Sequence, residues 1–299
     1  MSDQLVRVGE REVKLSNLAK VLYPDSGTTK AQIIEYYARV APVMVPHLQG
    51  RCITLKRFPD GVDKSGFFEK RCPKHRPEWI PTAAGPGDRG GEIGYCRFDE
   101  PAALVWAANM AALELHVPMA AAVDLDTPRA VVFDFDPGEP ATIVECCQIA
   151  VLVAEVLEAL NLRSVPKTSG SKGLQVYVPL NSPTSHQDAA DFALAVGQLL
   201  ERQHPDRITT TMAKAVRAGK IFIDWSQNAR FKTTIGVYSL RARPAPTVST
   251  PVTWDEVASC ATGRVPLTFQ WANVLDRIDR LGDLFEPVLS TVQHLPSRS

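Results

Sequence analysis

The chain has 299 residues, 45% hydrophobic and 22% charged, the composition of a folded soluble protein. No window approaches the roughly 18 uninterrupted apolar residues of a membrane span, and Met1-Ser-Asp-Gln-Leu-Val-Arg7 lacks a signal peptide's apolar core. A cytoplasmic, nucleoid-associated protein with no membrane partner is expected. The net charge of zero hides a segregation: residues 1–80 carry 14 Lys/Arg against 9 Asp/Glu, residues 81–160 carry 3 against 13, residues 161–250 carry 12 against 5, and residues 251–299 carry 4 against 6. An acidic block between basic blocks fits one cleft with carboxylates for metal and cations for phosphate. Ordinary surface patchiness fits the charge alone as well.

In chain order, Leu15–Tyr23 reads as a short amphipathic segment ending at the turn Pro24-Asp-Ser-Gly27. Thr28 or Thr29 then caps a helix from about Lys30 to Val40. Residues 52–58 form a strand leading into the turn Pro59-Asp-Gly61. The Gly/Pro-rich stretch 83–94 predicts a mobile loop, and the Ala/Leu spacing of 101–116 predicts a helix. A strand at 131–136, a helix to about Asn161, strands at Val165 and Leu174–Pro179, a helix from His186 to His204 and a strand at Ile221–Trp225 follow. Strands alternating with helices give the class α/β or α+β. No clear linker separates independent domains, so residues 1–299 are expected to form one domain of two packed lobes, with its core at about 5–290. Six cysteines (Cys52, Cys72, Cys96, Cys146, Cys147, Cys260) show no Cys-x-x-Cys spacing, and buried free thiols are expected.

The octet Val131-Val-Phe-Asp-Phe-Asp-Pro-Gly138 concentrates the chemistry. Strand alternation puts Asp134 and Asp136 on one face and Val131, Phe133 and Phe135 on the other. Buried ionised carboxylates need a compensating cation or donor, and a divalent metal is the simplest. On these residues alone, a metal site and a strand with a solvated polar face fit equally well. Asp224, in Ile221-Phe-Ile-Asp-Trp225, adds a third acid at a strand end. Three such acids suit two divalent ions roughly 3.5–4 Å apart, Mg²⁺ or Mn²⁺, assisting phosphoryl transfer. Glycosyltransferases, phosphatases and nucleases also use Asp-x-Asp.

Four further clusters accompany the acids. Lys167-Thr-Ser-Gly-Ser-Lys-Gly173 offers backbone N–H groups with Ser169, Ser171 and Lys172, a nest for a triphosphate or else a surface hairpin turn. Its spacing is not that of a Walker A loop. Asn17, Lys20 and Lys30 flank a helix start and suit a phosphate monoester, or else a solvated face. Lys56-Arg57 precede Phe67-Phe68-Glu69-Lys70-Arg71. Adjacent aromatics cannot both point inward from an extended segment, so either one is exposed for base stacking or a bend buries both. Arg230, Lys232, Arg241 and Arg243 lie close in sequence to Asp224 and suit phosphate oxygens.

Together, NLAKVLYPDSGTTKAQIIEYY, LKRFPDGV, FFEKRCP, VVFDFDP, KTSGSKGL and DWSQNARFKTTIGVYSLRAR resemble the polymerase domain of bacterial ligase D, in the archaeo-eukaryotic primase superfamily. The resemblance covers nearly the whole chain. It implies a two-lobed fold with a catalytic sheet like an RNA-recognition motif. It also implies a template-dependent DNA/RNA primase-polymerase that favours ribonucleotides, 5′-phosphorylated gaps and manganese. In that family pattern Asp134, Asp136 and Asp224 are the catalytic ligands of two ions. Lys56, His116, Ser169, Ser171, Lys172 and Arg241 serve the nucleotide, with His116 near the ribose. Asn17, Lys20 and Lys30 take the 5′-phosphate, and Phe67 and Phe68 the template or incoming base.

One departure is Gln175, which stands where the family's phosphate motif has a histidine. It keeps hydrogen-bonding capacity but cannot become cationic, so weaker triphosphate binding or altered metal dependence is expected. With no ligase or nuclease module, the chain resembles the free-standing mycobacterial polymerases associated with ligase C. An ATP-dependent ligase (ligase C or D) is then an expected partner, alongside gapped or broken DNA and NTPs or dNTPs. Gap filling in repair, end bridging in non-homologous end joining and a non-catalytic DNA-binding module are the candidate roles.

Overall fold

The computed structural model describes residues 3–296; Met1, Ser2 and residues 297–299 lie outside the described residues, and with them the first two positions of the N-terminal stretch that lacks a signal peptide's core. The two largest sheets use β1 (Thr54–Arg57), β2 (Phe67–Glu69), β3 (Ala112–Pro118), β4 (Ala130–Pro137), β5 (Val165–Thr168), β6 (Leu174–Pro179), β7 (Ile208–Thr209), β8 (Ile221–Asp224) and β9 (Thr233–Ile235). The principal helices are α1 (Lys30–Leu48), α2 (Pro101–Asn109), α3 (Ile143–Ala159), α4 (His186–Gln203), α5 (Trp254–Ala261) and α6 (Trp271–Leu281). The fold is α+β. It divides into two compact units. The first holds the residues up to Val123 with Thr233–Ser249 and Phe269–Gly282. The second holds Asp124–Lys232, Thr250–Thr268 and the residues from Asp283 on.

The first unit carries an antiparallel sheet in the order β9-β3-β1-β2. Helix α1 begins at the expected cap: Thr29 and Gln32 satisfy each other's backbone N–H groups in a capping box. It runs past the expected end near Val40, through Pro42 and Pro46, to Leu48. The buried Met44, Val45 and Leu48 offset the hydrogen bonds those prolines remove. The Tyr36 and Tyr37 hydroxyls tie α1 to the chain by donating to the carbonyls of Tyr238 (2.7 Å) and Leu113 (2.6 Å).

Four expectations change in this unit. Leu15–Tyr23 is not one amphipathic element: Leu15 closes the strand Arg11–Leu15, and Val21–Tyr23 is a separate short strand. The helix expected over 101–116 stops at Asn109; Ala111 takes a left-handed φ of 56° and the chain re-enters as β3. The loop expected at 83–94 is a β-hairpin, Thr82–Pro86 with Glu92–Cys96, turned by Gly90 (φ 82°) and Gly91 (φ 71°). Cys72 and Cys96 are not free thiols but a disulfide joining the FFEKRC segment to that hairpin. The thiols of Cys52, Cys146, Cys147 and Cys260 are free and buried, as expected.

The second unit carries a mixed sheet in the order β5-β6-β4-β8-β7. The central β4 runs antiparallel to β6 and β8, and β7 is parallel to β8. Helices α3 and α4 both pack on β4 and on each other, so they cover one face. Val131, Phe133 and Phe135 are fully buried, and Phe133 meets Phe192 of α4 edge-on at 6.3 Å. Gly197 of α4 permits close approach, because a Cβ there would sit 2.8 Å from the Thr210 methyl. Alternation then puts Asp134 and Asp136 on the opposite face, as the octet predicts. Among the described residues, no helix is long and apolar enough to cross a membrane.

Candidate active site

Strand register assembles the centre of the site. Asp134 on β4 pairs with Gln175 on β6 and with Asp224 on β8, and Gln175 pairs with Lys167 on β5. Directly paired residues share a face, so Lys167, Gln175, Asp134 and Asp224 form one row across four strands. Lys167 and Gln175 are buried. The Lys167 ammonium donates to Gln175 Oε1 at 2.6 Å, and the Tyr177 hydroxyl donates to the same oxygen at 3.3 Å. Two donors on Oε1 fix the amide orientation and aim its NH₂ group at Asp134, with which Gln175 is hydrogen-bonded. Asp224 is held from its own chain: Oδ1 accepts from the Ser226 N–H (3.1 Å) and hydroxyl (2.6 Å), and Oδ2 from the Gln227 amide (3.0 Å).

Burial pushes the Asp134 carboxyl up, and the Asp136 and Asp224 charges add to it. The Gln175 hydrogen bond and the Lys167 charge oppose them, leaving Asp134 at about 7. Carboxylates that repel one another at a sheet face would be relieved by a hard divalent cation, and Asp134, Asp136 and Asp224 are the residues that could hold one. Among the described residues, no three Asp, Glu, His or Cys side chains stand in an arrangement that holds a metal ion as they are placed. As a metal ligand, Asp224 would share oxygens with Ser226 and Gln227 or turn away from them. Each carboxylate oxygen has a second lone pair, so sharing is open to it. A metal ion held by Asp134 would compete with its proton. Apparent Mn²⁺ affinity, measured by calorimetry from pH 8 to pH 5, is expected to fall about tenfold per pH unit once the pH drops below about 7. A flat profile refutes Asp134 as a ligand.

The 167–173 loop leaves β5 and enters β6 in this same unit. Gly170 takes a left-handed φ of 69°. The Ser169 hydroxyl accepts from the N–H groups of Ser171 (3.2 Å) and Gly173 (3.1 Å), so it braces the loop from within. Lys172 is exposed and pairs with the exposed Glu139 at 2.7 Å. Arg230, expected near the acids, is engaged by Asp126 at 2.5 Å.

Lys56, His116 and Arg241 fall in the first unit, where they surround a residue that the sequence motifs do not include. Glu114 is buried on β3, opposite Lys56. Its carboxylate is 2.9 Å from His116 Nε2, 3.5 Å from Arg241 Nε and 3.8 Å from Lys56 Nζ, and accepts from the Ala242 N–H at 3.0 Å. Burial alone would raise the Glu114 carboxyl, but the His116 hydrogen bond, Arg241 and the Ala242 N–H outweigh it and hold it at about 2. At His116 burial dominates and lowers the imidazole, against Glu114. The pair rests near pH 7 as carboxylate and neutral imidazole.

Phe67 and Phe68 are both exposed, so neither a bend that buries them nor a single exposed ring describes them. Each lies opposite a cation on β1: Phe68 opposite Lys56 and Phe67 opposite Arg57. The Lys56 ammonium sits 5.3 Å from the Phe68 ring and the Arg57 guanidinium 5.4 Å from the Phe67 ring. Asn17, Lys20 and Lys30 also come together. Asn17 turns the chain with φ 53°, its carbonyl accepts from the Lys20 N–H, and the Lys20 carbonyl accepts from the Lys30 N–H at 2.8 Å. Burial first, then the Lys20 and Arg57 charges, lowers the Lys30 ammonium. Cations crowded this way suit an anion. Lys20 is shared with the exposed Asp60 at 3.2 Å.

The fold is that of an α+β protein with Asp134 and Asp224 paired across neighbouring strands of its five-stranded sheet. The family profile described as "LigD, primase-polymerase domain" matches residues 29–285, and the chain belongs to that family. It is 45% identical over 278 residues to the multifunctional non-homologous end joining protein LigD of Mycolicibacterium smegmatis, covering 92% of this chain and 36% of that protein. It is 43% identical over 285 residues to LigD of Mycobacterium tuberculosis, covering 93% of this chain and 37% of that one. The chain thus spans little more than a third of these relatives. Among solved structures, the polymerase domain of Mycobacterium tuberculosis ligase D in complex with DNA matches with a TM-score of 0.87 and 42% identity, over 94% of this chain and 99% of that one.

Proposed function

We propose that this protein is a template-dependent nucleotidyltransferase, a primase-polymerase that fills short gaps in DNA and prefers ribonucleotides. The observation that carries the reading is the Lys167–Gln175–Asp134–Asp224 row, with Asp136 two residues along β4. Two Mn²⁺ (or Mg²⁺) ions, when bound, would help a primer 3′-hydroxyl attack the nucleotide α-phosphate and stabilise the leaving oxygen. Asp134, Asp136 and Asp224 are assigned as their ligands. Gln175, clamped by Lys167, orients Asp134; in this reading it acts beside the metal ligand as well as near the phosphates. Ser169, Ser171 and Lys172 serve the triphosphate. Lys172 exchanges Glu139 for phosphate at little cost, because both side chains are exposed and their attraction is screened by solvent. Lys56, His116 and Arg241 contact the nucleotide, and Phe67 and Phe68 stack on template or incoming base.

Asn17, Lys20 and Lys30 bind the 5′-phosphate across the gap in this reading. Lys20→Ala with Lys30→Ala is expected to reduce affinity for 5′-phosphorylated gaps about tenfold or more and to leave 5′-hydroxyl gaps unchanged. Fluorescence anisotropy with both DNAs measures it, and equal affinity of the unmodified protein for the two ends defeats the pocket.

Joining broken ends is a second reading, favoured by the relatives' names as non-homologous end joining proteins. An ATP-dependent DNA ligase, C or D, is the partner either role needs to seal the product. Extension of a gapped primer with Mn²⁺ and each ribo- or deoxynucleotide, beside extension across two 3′-overhanging ends, decides between them. No synthesis on either substrate defeats the enzymatic reading.

A further inference from the structure

We propose that Glu114 is a positioning residue for the incoming nucleotide: it holds His116 as the Nε2–H tautomer and gathers Lys56 and Arg241 around one buried carboxylate. The inference rests on the nucleotide-binding reading above. Glu114 is 2% exposed, where an unpaired carboxylate is strongly destabilising. Its neighbours divide between its two oxygens. Oε1 takes the Ala242 N–H at 3.0 Å and faces Arg241 Nε at 3.5 Å, while Oε2 takes His116 Nε2 at 2.9 Å and faces Lys56 Nζ at 3.8 Å. One side chain therefore joins β3, β1 and the segment after Ser239.

An ionised carboxylate only accepts hydrogen bonds, so the proton between Glu114 and His116 belongs to Nε2. Burial lowers the imidazole and favours its neutral form, in which Nδ1 is the acceptor nitrogen. An acceptor nitrogen repels a phosphate oxygen and takes a hydrogen bond from a donor; with the ribose placement that the family resemblance implies for His116, that donor is a sugar hydroxyl. The phosphates fall to Lys56 and Arg241. Phe68 fixes the ring plane from outside, meeting His116 edge-on at 5.4 Å, and Lys56 lies between Phe68 (5.3 Å) and Phe58 (5.2 Å). Glu114 thus sorts its neighbours into a hydroxyl reader and two phosphate readers.

Glu114→Gln in the full chain keeps the shape and an acceptor for Ala242 but removes the charge. Its expected effect is a ribonucleotide KM raised about tenfold or more, the loss of one charge-assisted hydrogen bond's worth of organisation, with kcat within about threefold. The deoxynucleotide KM rises less, so ribonucleotide preference narrows. The ¹⁵N spectrum of His116 moves from the neutral Nε2–H pattern towards a mixture of tautomers, and Glu114→Asp restores part of both effects. Unchanged ribonucleotide KM in folded Glu114→Gln protein, or an Nδ1–H tautomer in the starting protein, overturns the proposal. If the starting protein adds no nucleotide, the enzymatic reading fails by itself. Equilibrium titration with a ribonucleoside triphosphate and the ¹⁵N spectrum then still decide the role of Glu114, and absence of triphosphate binding overturns it. Should Glu114→Gln not fold, the ribonucleotide KM of Glu114→Asp and the ¹⁵N spectrum of the starting protein decide the question instead: an unchanged KM or an Nδ1–H tautomer overturns the proposal.

Discussion

Asp134→Asn is expected to reduce template-directed nucleotide addition by on the order of 10³-fold while making the metal-free protein more stable. The two effects share one cause. Asp134 sits in a row with Asp224 and next to Asp136, and burial with those charges raises its carboxyl to about 7. A group whose folded-state pKa lies above its unfolded value near 3.8 binds more protons when folded across that interval, so metal-free stability falls as pH rises from about 4 to about 7. Asn removes that penalty, worth on the order of 2 kcal/mol after allowance for partial solvent screening, and still accepts from Gln175. It cannot serve as an anionic metal ligand, so the proposed activity is expected to be lost.

Asp224→Asn is expected to lose comparable activity with the opposite effect on stability. Asp224 accepts three hydrogen bonds, from the Ser226 N–H, the Ser226 hydroxyl and the Gln227 amide. An Asn side chain turns one acceptor oxygen into a donor, so stability falls by about 1–2 kcal/mol. Urea unfolding in a chelator at pH 7.5, beside single-turnover primer extension, reads both quantities. A D134N protein that extends primers normally refutes the metal assignment, and destabilisation by both substitutions refutes the repulsion argument.

Much of the second unit is legible in the sequence because its chemistry lies on strands of simple period. The β4 octet alternates apolar and acidic residues, so the face carrying Asp134 and Asp136 follows from a period of two. That Asp224 is the direct neighbour of Asp134 depends on register, which sequence does not fix for residues 90 positions apart. Lys167 reads in sequence as part of a loop motif. Its place beneath Gln175 emerges only when β5 and β6 pair.

Glu114 is hidden for a different reason. Ala and Leu at 101–116 read as one helix, and in a helix residues two apart do not face each other. Yet Leu113, Glu114, Leu115, His116 and Val117 alternate, which is the strand signal that puts Glu114 and His116 on one face. The disulfide is hidden because Cys72 and Cys96 are 24 residues apart and meet only once the hairpin forms.

Gly173→Ala is expected to cost more than its single methyl suggests: stability falls by about 2–4 kcal/mol and nucleotide addition by about 10²-fold. A Cβ on Gly173 would sit 2.3 Å from the carbonyl oxygen of Phe135, between Asp134 and Asp136 on β4. The obstacle is backbone in a central strand, not the end of a flexible side chain. The loop therefore moves off β4, or β4 moves with the acids it carries. Gly173 also closes the loop, donating to the Ser169 hydroxyl at 3.1 Å and accepting the Ser169 N–H at 2.9 Å.

Lys172→Ala is the control that separates geometry from charge. Lys172 and Glu139 are both exposed, so its loss is expected to leave stability essentially unchanged and to raise nucleotide KM alone. Gly173→Ala should lower kcat as well, because it disturbs the spacing between the loop and the carboxylates. Thermal unfolding with steady-state kinetics on a gapped primer distinguishes the two. A Gly173→Ala protein with unchanged kcat would mean that the loop and the acids act independently.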